Sequence, residues 1–360
     1  MNAERLRITE GHKLQGVYDF NVNKISYIAG SLGGGRVIDL TMIVSRHIDG
    51  YTSRGEAIYS NNSIYRIDSI FIHPGFDPAA AAADPEYFSK LDTMEYRGLN
   101  ILYKGKPRVR EKVLRRAVAL YPNYLYDPAQ VQESYASLMR MGFFRSANIL
   151  FENITDSLNV GEVTYIGDDG VYSATTTEGH LLCRINCTPA LRQSYKIDLE
   201  GSISSNFFGI GSTIGYQNRN LFRGAELWDI SLSGRYEISR VKGYKGSWEL
   251  GGTTSLSFPR FITPFKVDRY NRRINPRTKF ELSVNSQNRS LYERTLFGAR
   301  IIYDWSNRRN SSFSLRPIDI NFIKMGHISK EFQDELDDNR YLENSYSSQV
   351  VSGISFAYVY

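Results

Sequence analysis

Several groups of residues in this 360-residue chain could do chemistry, but each lacks the scaffold that its chemistry needs. Gly209-Ile-Gly211-Ser-Thr-Ile-Gly215 approaches the glycine spacing of a dinucleotide loop, with one residue too many before the third glycine. Such a loop must open a helix whose N-terminus meets the phosphates, whereas these glycines alternate with Phe208, Ile210 and Ile214 within one extended stretch. Gly33-Gly34-Gly35 sits between two strand-like segments with no helix after it, so it reads as a tight turn. A hydrolase needs a nucleophile beside a positioned base. The five histidines (His12, His47, His73, His180, His327) are scattered, and none falls within an alternating C-terminal stretch; His327, just past one, is the sole candidate base. Asp337 and Asp338, with Glu331, Asp334 and Glu335, read as a charged loop helix. Cys183 and Cys187, four residues apart on a strand, lie about 13 Å apart on one face. A disulfide spans at most about 7 Å, so they read as buried thiols, and a zinc site needs more ligands than this pair. The expectation is a non-enzyme without cofactor or metal.

The elements that carry these residues are strands. From Ala225 to Tyr236, Trp228, Ile230, Leu232 and Tyr236 share one parity, while Asp229, Ser231, Ser233 and Arg235 share the other. Side chains leave a strand alternately, so one face is apolar and the other polar. The same rhythm recurs to the last residue. Tyr195, Ile197 and Leu199 alternate with Lys196, Asp198 and Glu200; Phe208, Ile210, Ile214 and Tyr216 with Gly209, Gly211, Thr213 and Gln217; Trp248 and Leu250 with Ser247 and Glu249; Phe280 and Leu282 with Lys279 and Glu281. Phe297 to Trp305, Phe313 to Phe322 with a parity shift near Pro317, and Val350 to Tyr360 bring the count to eight strands.

Each stretch covers about 9–12 residues, the span of a tilted membrane strand, against about five or six in soluble domains. Tyr195, Tyr216, Tyr236, Phe258, Trp305 and Tyr360 sit at strand ends, as aromatic girdles do at lipid interfaces. These features argue for a barrel wall with lipid against Trp228, Ile230, Leu232, Trp248, Leu250, Phe280 and Leu282; a large soluble β-sandwich is the competing account. A mean hydropathy of −0.37 does not exclude a barrel, because half of every barrel strand is polar. The net charge of +6 includes two basic clusters, Lys104, Lys106, Arg108, Arg110, Lys112, Arg115 and Arg116, then Lys266, Arg269, Arg272, Arg273 and Arg277. They suit a solvated surface or acidic head groups. No groove-reading motif accompanies them, so nucleic acid is not an expected partner.

The N-terminal half alternates helices with short strands. Ala3 to Gly16 reads as a helix, followed by strands Asn21 to Ala29 and Arg36 to Val44 around a Ser31 to Gly35 turn. Gly50 to Ser63 reads as a linker. Tyr65 to His73 is strand-like, Pro78 to Pro85 with its five alanines an insertion loop, and Tyr96 to Lys104 extended. Val109 to Leu120 is a helix; another starts at Asp127 as N-cap with Pro128 at N1, buries Val131, Tyr135, Leu138 and Met139, and stops at Gly142. Strands at Ala147 to Phe151 and Leu182 to Thr188 flank a polar loop from Asn153 to His180. The start shows no signal peptide and reads as mid-helix, so an exported chain would lack its own beginning.

That order, with GL, GKPRVREKVL, PNYLYDP and SYASLMRMGFFRSANILF between Gly98 and Phe151, resembles the POTRA module of the BamA/TamA-type outer-membrane assembly factors. CTPALRQSYKIDLEGS from Cys187, FGIGSTIGYQNRNLFRGAE from Phe208 and LSFPRF from Leu256 resemble the barrel start of the Bacteroidetes TamA-like branch. The resemblance implies a mixed fold: α+β POTRA modules, then antiparallel transmembrane β-barrel strands, about eight, half of a sixteen-stranded barrel. Residues 1–49 would be the C-terminal part of one POTRA-like module, 64–190 a complete one, and 194–360 the N-terminal half of the barrel. The family's (V/I)RG(F/Y) loop motif is absent; Tyr96-Arg-Gly-Leu and Phe222-Arg-Gly-Ala are misplaced, so a fragment truncated at both ends is expected.

A POTRA sheet of about three strands has exposed edges that offer unpaired backbone groups to an extended client. The strand at Phe144, Ser146, Asn148 and Leu150 is the candidate edge. The resemblance implies unfolded outer-membrane proteins as clients and a barrel seam, here Tyr195, Ile197 and Leu199. It also implies outer-membrane lipid and a periplasmic or inner-membrane partner reached through the POTRA modules, in the outer membrane of a Gram-negative bacterium with those modules in the periplasm. The alternative function is a porin-like or adhesion barrel with no assembly role.

Overall fold

Helix α1 (Asn2–Leu14) leads through Gly16, at φ +95°, into β1 (Ile25–Ser31), which pairs antiparallel with β2 (Ile38–Val44) from Ile25↔Val44 to Ser31↔Ile38. The computed structural model describes all residues except 32–37, 46, 52–53, 61–62, 155–163, 168–169, 174–177, 205, 241–245, 265–273, 275 and 307–310. Most of the expected Ser31 to Gly35 turn lies outside the described residues, as do Lys266, Arg269, Arg272 and Arg273. Val17, Phe20 and Ile25 form a small core under Ile8 and Tyr27, with His12 stacked on Phe20 at 4.2 Å.

The stretch expected as a linker contains strand structure. β3 (His47–Tyr51) pairs antiparallel with β4 (Ala57–Ser60), and β4 pairs in parallel with a strand more than a hundred residues later. Local composition carries no trace of a partner that distant.

The largest sheet of the N-terminal half holds five strands rather than about three. β5 (Ile64–His73) is followed by helix α2 (Pro78–Ala83), β6 (Asp92–Tyr96), β7 (Leu99–Tyr103), α3 (Glu111–Ala117) and α4 (Pro128–Arg140). Next come β8 (Phe144–Asn153), the short β9 (Thr164–Gly167) and β10 (Gly170–Ser173), and β11 (Glu178–Pro189). The five-stranded order is β6-β7-β5-β11-β8, and β3, β4, β10 and β9 form a second sheet. The alanine run expected as a loop is helical because Asp77 Oδ1 accepts from the backbone N–H of Ala79 and Ala80, with Pro78 in the first turn. α3 is shorter than expected, since Val118 to Leu120 leave the helix extended.

α4 starts as expected, with Asp127 Oδ1 accepting from Ala129 N–H at 2.8 Å, and ends before Gly142 at φ +68°. Its inward stripe is turned from the expected one. Ser134 is fully buried, donating to the Gln130 carbonyl and accepting from Ala119 N–H, whereas Tyr135 is exposed. One face of the sheet is apolar: Ile67, Ile70, Ile72, Leu181, Cys183, Ile185 and Cys187 are all buried. Tyr65 lies against Gly179 on the paired strand; any side chain at 179 would enter its ring. Tyr18, Tyr126 and Phe151 close round Tyr65 and Leu181. Arg115, expected on a basic surface, is 3% exposed, donates to the carbonyls of Val118 and Leu120, and stacks on Tyr121 at 4.2 Å.

By internal contacts Met1–Leu138 with Ser146–Thr188 form one unit, and Met139–Arg145 with Pro189–Tyr360 another. The second unit carries the eight expected strands: β12 (Gln193–Ile203), β13 (Phe207–Arg219), β14 (Leu227–Ser239), β15 (Ser247–Phe258), β16 (Arg277–Asn288), β17 (Tyr292–Ser306), β18 (Ser312–Ile328) and β19 (Gln349–Val359). Helices α5 (Lys330–Asp338) and α6 (Arg340–Ser345) precede β19, the first holding the acidic cluster as expected. The sheet is an antiparallel meander in sequence order, β12 to β19, with 11 to 17 residues per strand. The shift expected near Pro317 is a register break between Arg316 and Asp319. β18 runs further than the alternation suggested, so His327 lies within it.

The β13–β14 turn is fixed by side chains. Asn220, Arg223 and Ala225 all have positive φ (72°, 63° and 59°), an unfavourable state for residues with a Cβ. The buried Glu226 carboxylate accepts from Phe222 N–H at 3.1 Å and Gly224 N–H at 2.9 Å, and Asn220 Oδ1 accepts from Ala225 N–H at 3.0 Å.

Candidate functional site: an exposed apolar wall and an open strand edge

Strand register places side chains of one parity in rows across the whole meander. Tyr195 pairs with Tyr216, Tyr216 with Ile230, Ile230 with Thr254, and Thr254 with Leu282. Trp228, Ile230, Leu232, Trp248, Leu250, Phe280 and Leu282 therefore share one face with the seam residues Tyr195, Ile197 and Leu199. The order of burial is the reverse of a soluble sheet. Leu250 and Leu282 are 58% exposed, while Ser247, Ser255 and Ser257 of the other parity are buried. Trp228, Ile230 and Phe280 are half-buried among neighbours in the same face.

Aromatic rings gather along one end of this face. Tyr195 meets Tyr216 at 5.1 Å, Tyr216 meets Trp228 at 5.9 Å, and Phe258 meets Phe280 at 6.1 Å. Trp305 stacks on Phe313 at 5.3 Å, and Phe313 meets Tyr358 at 5.1 Å. Trp228 turns its indole N–H to Thr254 Oγ1 on the neighbouring strand, 3.0 Å away, so neither polar group faces outward unpaired.

The opposite face carries a ladder of charge. Glu200 pairs with Arg235 at 2.8 Å, Glu249 accepts from Asn285 at 2.8 Å, Lys279 pairs with Glu281 at 2.7 Å, and Arg300 bridges Glu281 and Asp319 at 3.1 and 3.0 Å. Gly209, Gly211 and Gly215 line this face within β13, which accounts for their spacing without any nucleotide loop. Apart from Lys279–Glu281 within β16, the ladder joins residues of different strands, so reading one strand at a time shows the charges but not those partners.

In the five-stranded sheet one flank of the β5-β11-β8 core is sealed by its own chain. Tyr126 N–H donates to the Tyr65 carbonyl, Ile67 N–H to Tyr124, and Asn123 N–H to Ile67; further along, β7 pairs with Phe71 and Ile72. That leaves β6 and β8 at the edges. β6 is five residues long and carries exposed Asp92 and Glu95, the usual blunting of an edge. β8 is ten residues long, with Ser146, Asn148 and Leu150 exposed. Phe144, expected to stand with them, is 4% exposed and packs on Phe143, because the strand begins within apolar surroundings.

The titratable groups of this unit are set by burial. Cys183 and Cys187 are free, and burial pushes both thiols up to about 12, which keeps them unreactive. His73, buried between Phe76, Tyr87 and Phe88, is lowered to about 4 by desolvation and by Arg108. Among the described residues no group of three or more His, Cys, Asp or Glu could hold a metal ion, and no helix is long and apolar enough to cross a membrane.

No family model matches the chain. Over 193 residues, 47% of its length, it is 24% identical to the outer membrane protein assembly factor BamA of Neorickettsia risticii (strain Illinois). Over that stretch the chain is similar to BamA. The BamA-like chain spans 25% of that relative's length. BamA from Haemophilus ducreyi lacking POTRA domains 1–3 superposes with a TM-score of 0.44 at 10% identity, over 99% of this chain and 53% of that one. CdiB from Acinetobacter baumannii gives 0.29 at 9% identity, over 75% and 64%.

Proposed function

We propose that this chain is part of an outer-membrane assembly or insertion factor for β-barrel proteins of a Gram-negative bacterium. In this reading residues 194–360 form half of a membrane-embedded barrel wall, and residues 64–190 form a POTRA-like module in the periplasm behind part of another, residues 1–49. The observation that carries it is the apolar face left exposed across eight consecutive strands, since an exposed face of Leu, Ile, Phe and Trp is stable only against lipid or a protein partner.

The role is binding and guidance, with no bond made or broken. An extended client adds to β8 at Ser146, Asn148 and Leu150, where backbone groups give affinity and alternate side chains give selectivity. In hydrocarbon every backbone N–H and C=O must be paired. The exposed strand β12 therefore requires a neighbour once embedded, and Tyr195, Ile197 and Leu199 would meet an incoming strand there. The driving force is β-pairing and burial of apolar side chains in lipid.

A photo-crosslinker at Ser146 or Tyr195 tests this in the chain reconstituted into liposomes. Adducts with urea-unfolded barrel proteins, absent with folded ones and from the buried position Ile185, are expected. Ion conductance without any such adduct would replace assembly by a porin-like role.

A further inference from the structure

Two hydrogen-bonded rows at the middle of the exposed apolar face differ from the rest of the wall. One runs Ile230, Thr254, Leu282, Ala299 and Ile320; the next runs Leu232, Gly252, Val284, Phe297 and Phe322. Gly252, Thr254 and Ala299 are small among branched and aromatic neighbours, and the rows line a depression of about 550 Å³. Its side-chain lining is uncharged. The Thr254 hydroxyl, on the floor, already accepts the Trp228 indole N–H at 3.0 Å. A Cβ built on Gly252 would stand 3.4 Å from Val284 Cγ1 and 3.5 Å from Leu232 Cδ2, so a longer side chain there would occupy the space between the walls.

We propose that this depression seats one acyl chain of a membrane phospholipid. The inference rests on the barrel reading above. Gly252 lies midway along β15, between Trp248 at one end and Phe258 at the other, a depth where hydrocarbon and not head group or water is the neighbour. An unfilled hollow there would forfeit the dispersion contacts of its lining, and in lipid such packing, not water exclusion, decides which surfaces associate. A chain held against floor and walls exchanges more slowly than one on the flat wall.

The full chain and three variants, Gly252→Leu, Ala299→Leu and Ser212→Leu, are reconstituted with dimyristoyl phosphatidylcholine. Ser212 shares the apolar parity but lies on β13, outside the depression. Vesicle flotation is followed by stepwise delipidation and native mass spectrometry. Wild type and Ser212→Leu are expected to float and to keep one phospholipid, with the lipid-bound fraction at least fivefold lower in the other two. Equal retention in all four, or none in wild type, overturns the inference while flotation leaves the barrel reading standing. A wild type that does not float removes both. If Gly252→Leu fails to float, Ala299→Leu alone decides.

Discussion

The two large sheets use one alternation and put it to opposite ends. In the five-stranded sheet the apolar parity, Ile70, Ile72 and Ile185, is shut away from solvent. In the eight-stranded meander Leu232, Leu250 and Leu282 stand outward, and Ser255 and Ser257 are the hidden ones. Periodicity therefore fixes which residues share a face, and the medium outside fixes which face is turned in. A two-residue rhythm says nothing about that medium until strand length, strand number and aromatic ends are added.

Substitutions that treat the two sheets alike should separate them. Ile185→Ala is expected to destabilise the first unit by about 2–5 kcal/mol in urea denaturation, while Leu250→Ala leaves the urea midpoint of that unit unchanged. Leu250→Arg should oppose membrane insertion by about 2–4 kcal/mol, read as the folded fraction in vesicles across a urea series, with Ser255→Arg on the other parity far milder. Equal penalties would merge the two faces and break the contrast.

His73 adds a pH signature to the first unit alone. Its folded value of about 4 lies below the unfolded value of about 6.5, so the folded state favours the neutral ring. Stability is fully present above pH 6.5 and is lost as pH falls towards 4, by on the order of 1–3 kcal/mol. His73→Phe should flatten that slope in denaturation curves recorded from pH 4 to 7. The smallest change expected is Asp127→Ala, about 1 kcal/mol from the lost cap of α4, again confined to the first unit.

Much of this was legible in the residues. Eight alternating stretches became eight strands in sequence order, and Asp127-Pro128 announced α4. What stayed hidden depended on partners distant in the chain. β4 is a strand because β10 lies beside it, and β6 because β7 turns back at Arg97-Gly98. Arg115 looked like surface charge until the carbonyls of Val118 and Leu120 closed on it. Of the candidate sites, Ser146, Asn148 and Leu150 fell on an open edge, while Phe144 did not, since alternation cannot tell where along a strand burial begins.

The turn held by Glu226 bears on how such a wall gets its handedness of pairing. A slip of one residue between β13 and β14 would turn the apolar set of one strand onto the polar face of the other. Three left-handed residues in a turn held by the Glu226 carboxylate and the Asn220 side chain oppose such a slip, so the β13–β14 hairpin leaves its corner already aligned. Two polar side chains at the margin of the sheet thereby set the phase between these two strands.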